Sequence, residues 1–145
     1  MLFRSHEAVA LATRAREPVT CTVIDIDGLS RVNDAAGRAA GDRVIVAVAD
    51  ALSDTFRAAD VIARWGSDDF VVLAVGSGPE LAEIGSRLTR RLASDPDLPS
   101  VSLGRAVHLP WQDETLEEVL QRADQERLRT KTLENPWKKH DNLPL

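Results

Sequence analysis

Only one cysteine, Cys21, occurs in the 145 residues, so no disulfide can form within the chain and nothing points to an oxidising compartment. It sits in an apolar run, where a buried, inert thiol is the better reading than a nucleophile. No apolar stretch approaches the about 18 residues of a membrane-spanning helix, and the N-terminus lacks a signal-peptide core. A cytoplasmic chain without membrane insertion is expected. Basic clusters are missing too, and the formal net charge is −5. Nucleic-acid phosphates need a basic stripe, so a general nucleic-acid binder is excluded, and a polyphosphate ligand would need metal ions as intermediaries. His6, His108 and His140 are scattered without metal-ligand spacing, and no Ser/His/Asp constellation is readable. Repeats and interdomain linkers are absent, and the three tryptophans read as packing residues.

The content that remains, 43% hydrophobic and 28% charged, is that of one globular domain with a real core. The spacing predicts a helix over Met1 to Arg16, ended by Glu17-Pro18. Val19 to Ile26 (VTCTVIDI) is β-branched and nearly all apolar, the pattern of a buried central strand. Asp25 and Asp27 arrive at its C-terminal end with period-2 spacing, hence on one side of an extended strand. Asp27 has an alternative role as a helix cap; Asp25 has none.

A short helix over Leu29 to Ala36 ends at Gly37, and Ile45, Val48, Ala49, Leu52 and Phe56 then give an amphipathic face. Val61 to Val75 (VIARWGSDDFVVLAV) reads as a β-hairpin with Gly66, Ser67, Asp68 and Asp69 at its tip. Taken alone that tip is an ordinary solvated turn. Pro79 opens a helix with Leu81, Ile84, Leu88 and Leu92 inside, Ser100 to Leu109 is another strand interrupted by Gly104, and Thr115-x-x-Glu118 is a capping box for a last helix. The element order fits an α/β or α+β palm-like arrangement, a mixed sheet with helices against it. Residues 1–133 form the domain, and residues 134–145 an irregular tail.

The segment Asp25-Ile-Asp-Gly-Leu-Ser-Arg-Val-Asn33-Asp34-x-x-Gly37-x-x-x-Gly41-Asp42 resembles the DxDxFKxxNDxxGHxxGD stretch of GGDEF domains, the diguanylate cyclase family. Gly66-Ser67-Asp68-Asp69-Phe70 stands where that family's GG(D/E)EF hairpin belongs. The resemblance implies a nucleotidyl-cyclase-like fold, a central, mostly antiparallel five-stranded sheet flanked by helices. It also implies condensation of two GTP to cyclic di-GMP and pyrophosphate by a homodimer.

Hard cations such as Mg²⁺ or Mn²⁺ suit oxygen ligands, and the resemblance assigns Asp25, Asp68 and the Ile26 carbonyl to them, with Asp68 and Asp69 as the catalytic pair. It assigns Asn33 and Asp42 to guanine, an amide for the acceptor edge and a carboxylate for N1–H and the amino group. Gly66, Ser67 and Lys131 complete the GTP site. Arg57-x-x-Asp60, with Arg87, matches the family's inhibitory site for cyclic di-GMP; by itself RxxD is equally a surface ion pair.

Departures from the pattern point to impaired catalysis. Ser67 replaces a glycine, at about 1–2 kcal/mol if φ > 0 is required there. Leu29-Ser30 replaces the FK pair and Asn135 the phosphate-binding arginine, each lost contact worth about 1.5–3 kcal/mol. The family's leading DxLTGLxNRR segment does not precede the domain, so the chain is expected to be a fragment of, or partner to, a sensor-containing protein. The expected function is a degenerate GGDEF domain of cyclic di-GMP signalling that binds GTP, cyclic di-GMP or both. The alternatives are an active cyclase and a dimerisation module that binds no nucleotide.

Overall fold

In the computed structural model, residues 10, 16–76, 78–94 and 98–132 are described. The helix expected over Met1 to Arg16 and the tail 134–145 lie outside the described residues, apart from Ala10 and Arg16. Eight elements follow in order: β1 (Val19–Ile26), α1 (Leu29–Ala36), α2 (Arg38–Thr55), β2 (Val61–Arg64), β3 (Asp69–Val75), α3 (Leu81–Leu92), β4 (Val101–His108) and α4 (Leu116–Thr132).

β1 is apolar without alternation because both of its faces are covered. Ile24 and Ile26 join one core with Val48 and Leu52 of α2 and Ile84 and Leu88 of α3. Val19, Cys21 and Val23 join a second core with Val119, Leu120 and Ala123 of α4. The strand order is β2-β3-β1-β4. Every pair is antiparallel, the limiting case of the mostly antiparallel sheet expected. β3 and β4 run in the same direction, but β1 lies between them, so no parallel ladder forms. Four strands are present among the described residues, against five implied by the resemblance.

The inner stripes of α3 and α4 lie where the 3.6-residue period puts them, and the Thr115 hydroxyl accepts the Glu118 amide at 3.2 Å, the first half of the capping box. α2 departs from expectation. Its buried face runs through Val44, Val48, Ala51, Leu52 and Thr55, leaving Ile45 and Ala49 only partly covered. The helix begins at Arg38 and packs on α1 and α3 as well as on the sheet, which turns its inner face.

Burial pushes the Cys21 thiol up to about 12, which makes it the inert core thiol expected. His108, at the end of β4, is only 3% exposed, and its Nδ1 has no partner among the described residues. Burial lowers its pKa, with Glu114 opposing. Its folded value therefore lies below the unfolded value of about 6.5, so its stabilisation is complete above that pH and is lost as pH falls toward the folded value. Denaturant titrations at pH 7.5 and 5.5 should show a smaller acid loss in His108→Leu than in the native chain. The native loss includes a slope of up to about 1.4 kcal/mol per pH unit from this one group. Equal losses would remove His108 from the account.

Candidate functional site

The central position of β1 decides what its last carboxylate meets. Asp25 pairs across the sheet with Asp69 of β3 on one side and Ser102 of β4 on the other. Beyond it the Ile26 amide donates to the Asp68 carbonyl at 2.8 Å, which ties the hairpin tip to the end of β1. Arg64 holds the tip from below, its guanidinium donating to the carbonyls of Gly66 (3.1 Å) and Ser67 (2.8 Å). The conditional strain at Ser67 does not arise: among the described residues only Arg16 is a non-glycine with positive φ. Gly66 matters instead through contact, since a Cβ there would stand 2.5 Å from Asp69 Oδ1.

Asp69 is the electrostatically stressed member. Its Oδ1 is buried without a hydrogen-bond partner among the described residues. Burial first, and then the neighbouring Asp68 charge, raise its pKa, while the Gly66 amide and Arg127 favour the charged form. Asp27 is differently placed. Ser100 and Ser102 donate hydroxyls to its two carboxylate oxygens at 2.9 and 2.7 Å. The capping alternative for Asp27 falls, because the residue at the N-cap of α1 is Gly28, in a left-handed conformation and with no side-chain cap.

A cleft of about 750 Å³ opens between the hairpin tip and α4, with Asp25, Asp68 and Asp69 on one wall and Glu117, Asp124 and Arg127 on the other. Trp65, exposed next to the tip, stands at its mouth and is not a packing residue. Arg127 is the group that sequence reasoning missed. It bridges the walls, Nη1 donating to Asp25 Oδ2 at 3.2 Å and Nε to Asp124 Oδ1 at 2.8 Å. The i,i+3 spacing of Asp124 and Arg127 was legible; the reach to Asp25, across 102 positions, was not.

The base-reading candidates form a second group on α1 and α2. The Asn33 side chain lies against Gly41, so close that a Cβ at Gly41 would fall 1.7 Å from its Oδ1, and Asp42 follows directly. Both are exposed. The side chain of Lys131, near the end of α4, lies outside the described residues.

A third group carries Arg57, Asp60 and Arg87. Asp60 is turned inward: its side chain is 1% exposed, Oδ2 accepts the Arg57 amide at 2.9 Å and Oδ1 its guanidinium at 3.2 Å. The Arg57 guanidinium also donates to the Val75 carbonyl at 3.0 Å. Arg87 donates to the Thr55 carbonyl at 3.4 Å, two positions before Arg57, and pairs with Glu83 at 2.6 Å. With Arg90 and Arg91 it lines a cleft of about 440 Å³ between α2 and α3.

The acidic end of the cleft can be compared with what a divalent cation requires. The orphaned Asp69 oxygen and the repulsion from Asp68 are what a hard cation would satisfy. Among the described residues no group of three or more His, Cys, Asp or Glu is placed to hold a metal. Asp68 and Asp69 by themselves therefore do not cage a metal, and a cation there would need oxygens from elsewhere. No helix among the described residues is long and apolar enough to cross a membrane.

A sequence model of the family described as "Diguanylate cyclase, GGDEF domain" matches residues 3–135. The chain is 33% identical over 134 residues to the diguanylate cyclase DgcP of Pseudomonas aeruginosa, covering 88% of this chain and 20% of that protein. It is similar to the solved GGDEF domain of YfiN (TpbB) from Pseudomonas aeruginosa, with a TM-score of 0.75, 26% identity and coverage of 90% and 88% of the two chains. It is also similar to a microbial GGDEF domain solved in a study of its interaction with cyclic di-GMP, with a TM-score of 0.70, 30% identity and coverage of 90% and 83%. The chain spans about a fifth of the length of the first curated relatives it matches.

Proposed function

The chain belongs to the diguanylate cyclase GGDEF domain family, and from that membership we propose that it acts in cyclic di-GMP signalling as a degenerate domain that binds GTP, cyclic di-GMP or both, with weak or lost cyclase activity. The observation that carries the reading is the meeting of Asp25, Asp68 and Asp69 at one sheet end while Asp25 is already paired with Arg127. Three carboxylates on one cleft support a phosphate-handling site, and one of them is engaged by a guanidinium.

In this reading Asn33 and Asp42 take the guanine, and Gly66, Ser67 and Lys131 line the phosphate path. Mg²⁺ or Mn²⁺ is held by Asp68 with Asp25 and the Ile26 carbonyl, and when bound it neutralises phosphate charge. Arg57 and Arg87 take the phosphates of cyclic di-GMP. Asp60 orients Arg57, since reading a guanine with it would require the turn to open. The second reading is an active cyclase working as a homodimer, with Asp68 and Asp69 as catalytic residues. The lack of backbone strain at Ser67 favours it. Sensor domains joined to or paired with this chain would set the dimer in either case.

Purified protein is incubated with GTP and Mg²⁺ or Mn²⁺ at several protein concentrations, and cyclic di-GMP is assayed. Little or no product is expected. Clear turnover that Asp68→Ala abolishes would establish the active reading instead. Calorimetry with cyclic di-GMP should show binding weakened about 10- to 100-fold in Arg57→Ala, the loss of one charge-assisted contact. A native chain that binds neither nucleotide would leave the structural dimerisation module.

A further inference from the structure

Arg127 occupies a place that other features of the fold make rigid. α4 rests directly on β4 at Gly104, where a Cβ would stand 1.9 Å from the Ala123 carbonyl oxygen, 2.5 Å from the Arg127 amide nitrogen and 2.7 Å from its Cβ. Contact at that range sets how far along the sheet, and how close to it, the Arg127 side chain begins. The side chain is 11% exposed and ends between two carboxylates.

Those carboxylates differ. Asp124 is one turn back on the same helix and takes Nε at 2.8 Å, a local contact that persists wherever α4 goes. Asp25 belongs to β1, takes Nη1 at the longer 3.2 Å, and faces the cleft that Asp68 and Asp69 also face. The looser of the two bonds is therefore the one directed at the candidate cation site. A carboxylate oxygen that accepts from a guanidinium has spent its charge on a fixed cation. A divalent ion approaching that oxygen meets both a neutralised ligand and a like charge.

We propose that Arg127 is a built-in counter-ion at Asp25, which a divalent cation must displace onto Asp124 before Asp25 can become a ligand. The proposal rests on the assignment of Asp25 to a cation made above. It adds that this chain's weak use of the site is set by a residue on α4, in addition to any missing phosphate contacts. Arg127 is a positioning and competing group. It takes no part in bond making or breaking.

The probe is Mn²⁺ alone, titrated against the native chain, Arg127→Leu, Arg127→Gln and the double variant Asp25→Asn/Arg127→Leu, with free Mn²⁺ read by electron paramagnetic resonance and folding checked by circular dichroism. Removing the guanidinium should tighten Mn²⁺ binding about 10- to 100-fold, the equivalent of one charge-assisted contact, and the double variant should lose that gain. Should the variants fail to fold, the side-chain Nε–Hε resonance of Arg127 in the native chain, followed by NMR during Mg²⁺ titration, serves instead. It should shift as the cation saturates. Equal affinity in the native chain and both Arg127 variants, with loss in the double variant, would overturn the counter-ion while leaving the cation site standing. No Mn²⁺ binding in any variant, including those lacking Arg127, would overturn both.

Discussion

Gly104→Ala should destabilise the domain by about 3 kcal/mol, at the upper end of the cost of overpacking a core. The added methyl would meet the Ala123 carbonyl at 1.9 Å and the Arg127 amide at 2.5 Å. Both are backbone atoms of a helix, which cannot turn aside as a side chain can, so α4 as a whole must lift from β4. Val119, Leu120 and Ala123 seat that helix on Val19, Cys21 and Val23, and lifting it opens this second core. For a chain of this length the loss corresponds to a fall in melting temperature of about 10 °C and about a hundredfold in the unfolding equilibrium. Urea titration and a thermal melt measure both. A melting temperature unchanged within about 2 °C would mean that the helix does not rest on Gly104. The same substitution should lengthen the Arg127 contact to Asp25, because the two effects share one fulcrum.

The second large effect runs in opposite directions for stability and binding. At Gly41, inside α2, an added Cβ would fall 1.7 Å from Asn33 Oδ1 and 2.8 Å from its Cγ. Here the obstacle is the end of an exposed side chain, which can rotate away at little cost, and alanine is favoured over glycine within a helix by about 1 kcal/mol. Gly41→Ala should therefore be neutral or stabilising by up to about 1 kcal/mol. Displacing the Asn33 amide should at the same time weaken a guanine nucleotide about tenfold, the loss of one good hydrogen bond in a binding site. Calorimetry with a non-hydrolysable GTP analogue, alongside urea titration, separates the two. Undiminished affinity in a well-folded variant would remove Asn33 from the base site.

Local patterns were legible where local physics decides. Leu29 to Ala36 has the bounds expected of it, since Gly37 stops a helix by its own backbone preference. The inner stripes of α3 and α4 follow from the 3.6-residue period, and β1 reads as a two-faced core strand because it is apolar at successive positions. The rotated face of α2 was not legible: α1, α3 and the sheet compete for one helix. The inward turn of Asp60 was hidden for a related reason. Its two acceptors are satisfied by the amide and guanidinium of Arg57, a local turn geometry that the spacing RxxD permits but does not require.

The candidate site divides in the same way. Residue types and short spacings were enough to bring carboxylates to the end of β1 and to the hairpin tip, and to place an amide and a carboxylate near the α1–α2 junction. Strand alternation and turn chemistry act over a few residues, and those regularities survive in any fold the chain adopts. Tertiary structure alone decided that Asp27 is held by Ser100 and Ser102, that Asp69 keeps an oxygen without a partner, and that Arg127 reaches Asp25. The first and the last depend on how closely β4 and α4 approach β1. For α4 that distance is set by its backbone resting on Gly104, a contact between residues far apart in the chain that no local pattern records.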